Sequence, residues 1–190
     1  MSATGSDFVR KVQSVIWDSF LSMEKHGAAR KRIDNHRAGA QAVLDAVGAD
    51  EISQHRREGF DRQRMKIAAN ERSIEIYDLA INIAAGSILQ IAKQAISMQH
   101  HGLAECPTGR CISGFYVKDL IWYGRNQSMH YEAALIGATR TFIERLEKEL
   151  PVQFPRKEPA TSHAKAILDL MGWSSDTSLI ESDMAELLPP

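Results

Sequence analysis

Cysteine is scarce in this chain, and so are proline, aromatic residues and net charge: two cysteines, six prolines, 7% aromatics and a formal charge of −1 over 190 residues. Cys106 and Cys111 are too few and too isolated to frame a secreted disulfide domain, so they read as free thiols in a loop. His100 and His101 lie just upstream, but the set matches no common zinc-ligand spacing, and neither a metal nor another cofactor is expected. A net charge so close to zero excludes a polycation that binds nucleic acid by bulk attraction. No run approaches the roughly 18 uninterrupted apolar residues of a spanning helix, and the N-terminus lacks an apolar core followed by a small-residue cleavage site. A cytoplasmic protein with no membrane association is therefore expected. No alternating strand pattern of useful length, internal repeat or low-complexity segment is legible.

What remains reads as helix. Turn and breaker residues cluster around Gly27, at Gly48 to Asp50, across Gly102 to Gly114 and from Pro151 to Pro159. Residues 7 to 25 carry Phe8, Val12, Val15, Ile16 and Phe20 on one stripe, and residues 28 to 47 a weaker one of Ile33, Ala40, Val43, Leu44 and Val47. The segment from Glu51 to Gln99 is charged in its first half, where Gly59 is a candidate bend. Its second half is apolar nearly all round: Ile74, Ile81, Ile88 and Ala95 repeat at seven, and Ile76, Leu79, Ile83, Leu89, Ile91 and Ile96 widen the stripe into a core helix. Asn82 and Gln90 then need partners or an exposed seam. A last long helical stretch covers Tyr116 to Leu150, with Gly124 as its candidate break, and a short helix led by Thr161 or Ser162 stops at Gly172. The expected architecture is all-α: an antiparallel four-helix bundle over residues 1–150, then a Pro-containing linker and an acidic helical tail over 151–190.

Charge is unevenly spread. Lys25, Arg30, Lys31, Arg32 and Arg37 stand against Asp34 alone, whereas Asp176, Glu181, Asp183 and Glu186 have no base among residues 174 to 190. The basic stretch is either a solvated helix face or a surface that tracks phosphates.

Chemistry concentrates in Arg125-Asn126-Gln127-Ser128-Met129-His130-Tyr131. Arginine offers a planar fork of donors suited to phosphate oxygens, and histidine can take and return a proton near neutrality. Among the seven histidines only His130 has an arginine five positions before it. On one ideal helix five residues leave the two side chains roughly 140° apart, so a joint site needs Arg125 to swing out near Gly124 or a second copy to complete it. Glu132, seven residues from Arg125, is placed to neutralise it instead.

This segment resembles the HEPN superfamily, small helical bundles marked by an arginine, a polar residue that is often asparagine, and a histidine four to six positions beyond the arginine, near the start of the last core helix. Tyr131 makes it the Arg-x-x-x-x-His-Tyr variant found in toxins paired with minimal nucleotidyltransferases. The resemblance implies a HEPN-like fold, a homodimer with the site at its interface, and metal-independent cleavage of single-stranded RNA to a 2′,3′-cyclic phosphate, as in toxin or defence effectors. His130 would be the general base or acid, Arg125 would stabilise charge on the phosphorane, and Asn126 would orient the imidazole or bind phosphate. Tyr131 would be a modification target or a residue at the rim of the site. Trp122 and Tyr123 could stack bases, with Arg30, Lys31 and Arg32 as weaker RNA contacts. Competing readings are a catalytically silent module whose acidic, apolar tail docks a protein or nucleotide partner, and a DNA-binding regulator resting on the arginine-rich second helix.

Overall fold

Long stretches of Ala, Arg, Lys, Glu and Gln with few prolines favour helix wherever side chains do not intervene. The computed structural model describes residues 5–46, 54–156 and 161–189, though not the side chains of 5–13, 15, 17, 20, 44, 54–58 and 60. In chain order the described elements are α1 (Gly5–Asp45), α2 (Gln54–His100), β1 (Cys111–Ile112), β2 (Phe115–Tyr116), α3 (Val117–His130), α4 (Gly137–Glu149), α5 (Ala164–Met171) and α6 (Thr177–Leu187). The protein is mostly helical, as expected. The sequence pattern passed over the antiparallel pair β1–β2, because strands of two residues are too short to show an alternation.

Gly27 and Gly59 do not interrupt their helices: α1 and α2 run through them. Glycine ends a helix by taking a left-handed conformation, and neither residue does so. The long C-terminal stretch does break, but at residues 131–136 rather than at Gly124. The motif therefore closes α3 and does not open the last long helix.

Two compact units are present, Met23–Ile81 and the combination of Met1–Ser22 with Asn82–Pro190. In the Met23–Ile81 unit α1 and α2 are antiparallel. Arg30 pairs with Asp78 and Arg37 with Glu71, so a step of seven up one helix matches a step of seven down the other. His26 and Tyr77 add a tilted ring contact at 5.9 Å. Few described apolar side chains are buried there, namely Met23, Ala40 and Ile81. Val43, Ile76 and Leu79, expected on apolar stripes, are exposed. Ile76 and Leu79 lie about 140–160° around the helix from Ile81 and Ile74, so one face cannot bury both sets. The side chains of Phe8, Val12, Val15, Phe20 and Leu44, and all of Val47, lie outside the described residues.

The other unit holds the main core. The C-terminal half of α2 buries Ala84, Ala85, Ile88, Leu89, Ala92, Ala95 and Ile96 along one face and leaves Ile83 exposed. Asp61–His100 contains an apolar window long enough to cross a membrane by length and composition, 33% of it buried. Polar residues such as Asn82 and Gln90 interrupt that window, so a search for unbroken apolar runs does not register it. Helix α3 buries Val117, Leu120, Ile121, Gly124 and Gln127, one stripe at three- and four-residue spacing. Gly124 has no room for a side chain: an added Cβ would lie 2.5 Å from Ile167 Cδ1 and 3.4 Å from Leu89 Cδ1. Its absence of a side chain serves close helix packing, which is why it does not act as a break.

Residues beyond the prolines belong to this core. Trp173, Ile180, Met184, Leu187 and Leu188 are buried, and Gly172 stops α5 at φ +80° as expected. Arg110 donates to both carboxylate oxygens of the buried Asp183, which also accepts from Trp173 Nε1 at 2.7 Å. The acidic, apolar tail thus spends its apolar residues inside its own chain.

Candidate functional site

The site begins at a tight turn. Ser113 and Gly114 both have positive φ, the geometry a two-residue hairpin loop requires, and the returning strand leads at once into α3. Helix α3 is then fixed on three sides by its neighbours, and successive residues, 100° apart, face different ones.

Arg125 faces α2. Its Nε donates to Gln90 Oε1, and its Nη1 donates to Asn126 Oδ1 at 3.2 Å. Gln90, flagged by the sequence as a polar residue in need of a partner, finds it here. Asn82, the other such residue, accepts from the backbone N–H of Lys165 at 3.4 Å. Asn126 faces α4 and donates from Nδ2 to Thr139 Oγ1 at 3.4 Å, so its described role is to hold Arg125. Gln127 faces the start of α5: it is buried, donates to Thr161 O and accepts from His163 N, both at 2.8 Å. Sequence reasoning gave Gln127 no role, although a buried amide with two backbone partners is what anchors the segment after the linker.

His130 is the last residue of α3 and is exposed, as is the apolar Met129 before it. The helix continues through Gly124, so Arg125 does not swing out at a helix start. Within one chain Arg125 is turned to α2 while His130 ends the helix in solvent. Glu132 does not form a salt bridge with Arg125. Partial burial pushes the Tyr131 phenol up from its ordinary value, and the adjacent Glu132 carboxylate adds to the shift.

The aromatic candidates separate. Tyr123 meets Phe142 at a tilt, with ring centroids 4.8 Å apart, and Phe142 also meets Phe115 edge-on, so Tyr123 belongs to a packed cluster. Trp122, half-buried, carries the Lys93 ammonium 4.3 Å from its ring centroid. Lys93 was given no role by the sequence, since a lysine on a long helix reads as a solvated side chain. Burial lowers its pKa, and the positive charge of Arg125 lowers it further. Arg30 is engaged with Asp78 in the Met23–Ile81 unit, where Lys31 and Arg32 are exposed.

Chemically, the described arrangement offers an arginine held by two neutral amides with no carboxylate on it, a second cation beside it, and a solvent-accessible imidazole a turn and a half further on. It suits an anion better than a metal, and no cluster of three His, Cys, Asp or Glu side chains able to hold a metal ion is found among the described residues. In comparisons with known proteins, no family model, curated protein or solved structure matches this chain.

Proposed function

We propose that this protein is a metal-independent endoribonuclease of HEPN type, acting on single-stranded RNA in the cytoplasm as a toxin or defence effector. The observation that carries the reading is Arg125: a half-buried guanidinium fixed by Gln90 and Asn126, neither of which neutralises it, on the same helix as an exposed His130. The other half-buried arginines described, Arg30, Arg37 and Arg110, are each matched by a carboxylate, whereas amide partners leave the Arg125 charge uncompensated for an anionic ligand.

In the reaction, His130 takes the proton of a ribose 2′-hydroxyl, and the oxygen attacks the adjacent phosphorus. Arg125 stabilises the charge that builds on the non-bridging oxygens. The 5′-oxygen then leaves and takes a proton from solvent, giving a 2′,3′-cyclic phosphate and a 5′-hydroxyl, and His130 returns its own proton to solvent. Because the two side chains diverge on α3, the working site is assembled across a two-fold homodimer, His130 of one copy meeting Arg125 of the other. Met129, apolar and exposed next to His130 in the chain, and the exposed Ile136 of the loop that follows α3 suit such a contact. The bundle of α2, α3, α4 and α5 stands in for the HEPN four-helix core in this reading. It departs from the family pattern in carrying the motif at the end of α3. Tyr131 lies at the rim, where an antitoxin such as a minimal nucleotidyltransferase would modify it.

Purified protein is expected to cut single-stranded RNA in EDTA and to leave cyclic phosphate ends. His130→Ala and Arg125→Ala should each lower the rate by about 100-fold or more. Equal cutting by all three proteins, or none by the parent, contradicts the proposal.

A further inference from the structure

Helices α2 and α3 meet in a reciprocal arrangement. Gln90 and Lys93 are one turn apart on α2, and Trp122 and Arg125 are one turn apart on α3. Gln90 bonds Arg125 and Lys93 sits over Trp122, so a step of three up α2 matches a step of three down α3. Close approach at this seam is supported by Gly86, where an added Cβ would lie 3.4 Å from Ser128 Oγ. Each helix therefore contributes one cation and one neutral group that holds the cation of the other.

We infer that Lys93 and Arg125 form a two-cation clamp for an RNA phosphate across the α2–α3 seam, with Trp122 positioning Lys93 and Gln90 positioning Arg125. Two observations support it. Neither cation has an ion pair among the described residues, whereas the other half-buried arginines described, Arg30, Arg37 and Arg110, each pair with a carboxylate. In addition, the two charges are close enough to disfavour one another, which lowers the Lys93 pKa after the effect of burial. Like charges brought together on rigid helices without a counter-charge destabilise the empty protein, and a bound phosphodiester relieves that repulsion. Lys93 reaches the phosphate as a point charge and Arg125 as a planar fork, so the clamp tolerates any base and fixes the backbone.

The inference rests on the RNA-cleaving reading but is tested apart from it. Binding of a short fluorescein-labelled single-stranded RNA of mixed sequence is measured by anisotropy in EDTA over a range of salt, in the His130→Ala background so that no cleavage intervenes. Lys93→Gln is expected to weaken binding about tenfold at low salt and to reduce the slope of log affinity against log salt by about 0.7, one phosphate contact to a single strand. Lys93→Arg should restore most of both. Melting temperatures within a few degrees of the background protein would show that the fold is kept. Unchanged affinity and slope in Lys93→Gln overturns the clamp even if the parent enzyme cuts RNA. An affinity loss with an unchanged slope also overturns it, since Lys93 would then act through packing. Should the parent fail to cleave while Lys93→Gln shows both expected losses, the clamp stands and the catalytic reading falls.

Discussion

Gly124 and Gly27 are both glycines inside helices, and a methyl group added to each would meet opposite surroundings. At Gly124 the new carbon would press on Ile167 and Leu89; at Gly27 nothing lies within 4 Å. That contrast extends to the two units. The unit containing α3 to α6 is held by fully buried side chains such as Ile121, Leu146, Phe154 and Trp173. The Met23–Ile81 unit buries little among its described side chains and relies on half-exposed ion pairs such as Arg30 with Asp78. Exposed pairs of this kind contribute about 1 kcal/mol at most, whereas a buried large side chain contributes about 1.5–3 kcal/mol. The buried core and the candidate site thus lie in the same unit, as the proposed function requires of a preorganised site.

Truncation of a side chain should separate the two units most strongly. Leu146→Ala should cost about 2–5 kcal/mol in urea unfolding, because a fully buried side chain leaves a cavity. Val43→Ala, at an exposed position, should change stability by under about 0.5 kcal/mol. Similar losses at both would show that the Met23–Ile81 unit has a core of its own. Next in size is the glycine pair. Gly124→Ala should destabilise by about 1–3 kcal/mol through overpacking, and Gly27→Ala should stabilise by up to about 1 kcal/mol through helix propensity. Thermal unfolding of both variants reads the sign directly.

The smallest effect concerns pH. Burial pushes the Asp119 carboxyl above its ordinary value near 3.8, with Lys118 opposing the shift. A raised pKa means that the folded state binds the extra proton, so this residue's contribution to stability falls as pH rises through that window. Asp119→Asn should therefore be slightly more stable than the parent at neutral pH, by under about 1 kcal/mol, and the difference should vanish in acid. A difference that grows in acid would reverse the sign.

Two glycines also show how much of the fold was legible. Gly172 and Gly27 were both read as breaks, and only Gly172 is one. Trp173, which follows Gly172, is a large residue that is fully buried, and its backbone N–H donates to Leu168 O, the bond that closes a left-handed stop. Gly27 is followed by Ala28, Ala29, Arg30 and Lys31, strong helix formers that carry α1 onward. The residues after a glycine decide its role, and that signal was present in the sequence. At the site, the divergence of Arg125 and His130 followed from helix geometry alone, and Gln90's need for a partner followed from its apolar surroundings. Lys93 could not be found that way. Its meeting with Trp122 depends on the register of α2 against α3, which is set by Gly86, Gly124 and the side chains packed around them rather than by any local pattern.

In the proposed mechanism, one RNA-cleaving site draws Arg125 and His130 from two copies of the chain. Mixing separately inactive Arg125→Ala and His130→Ala proteins, with refolding to exchange subunits, tests it most directly. A heterodimer would hold one site with both groups intact, so RNA cleavage in EDTA should return to about a quarter of the parent rate, given random pairing. A mixture as inactive as either variant alone, beside an active parent treated the same way, would contradict the shared site.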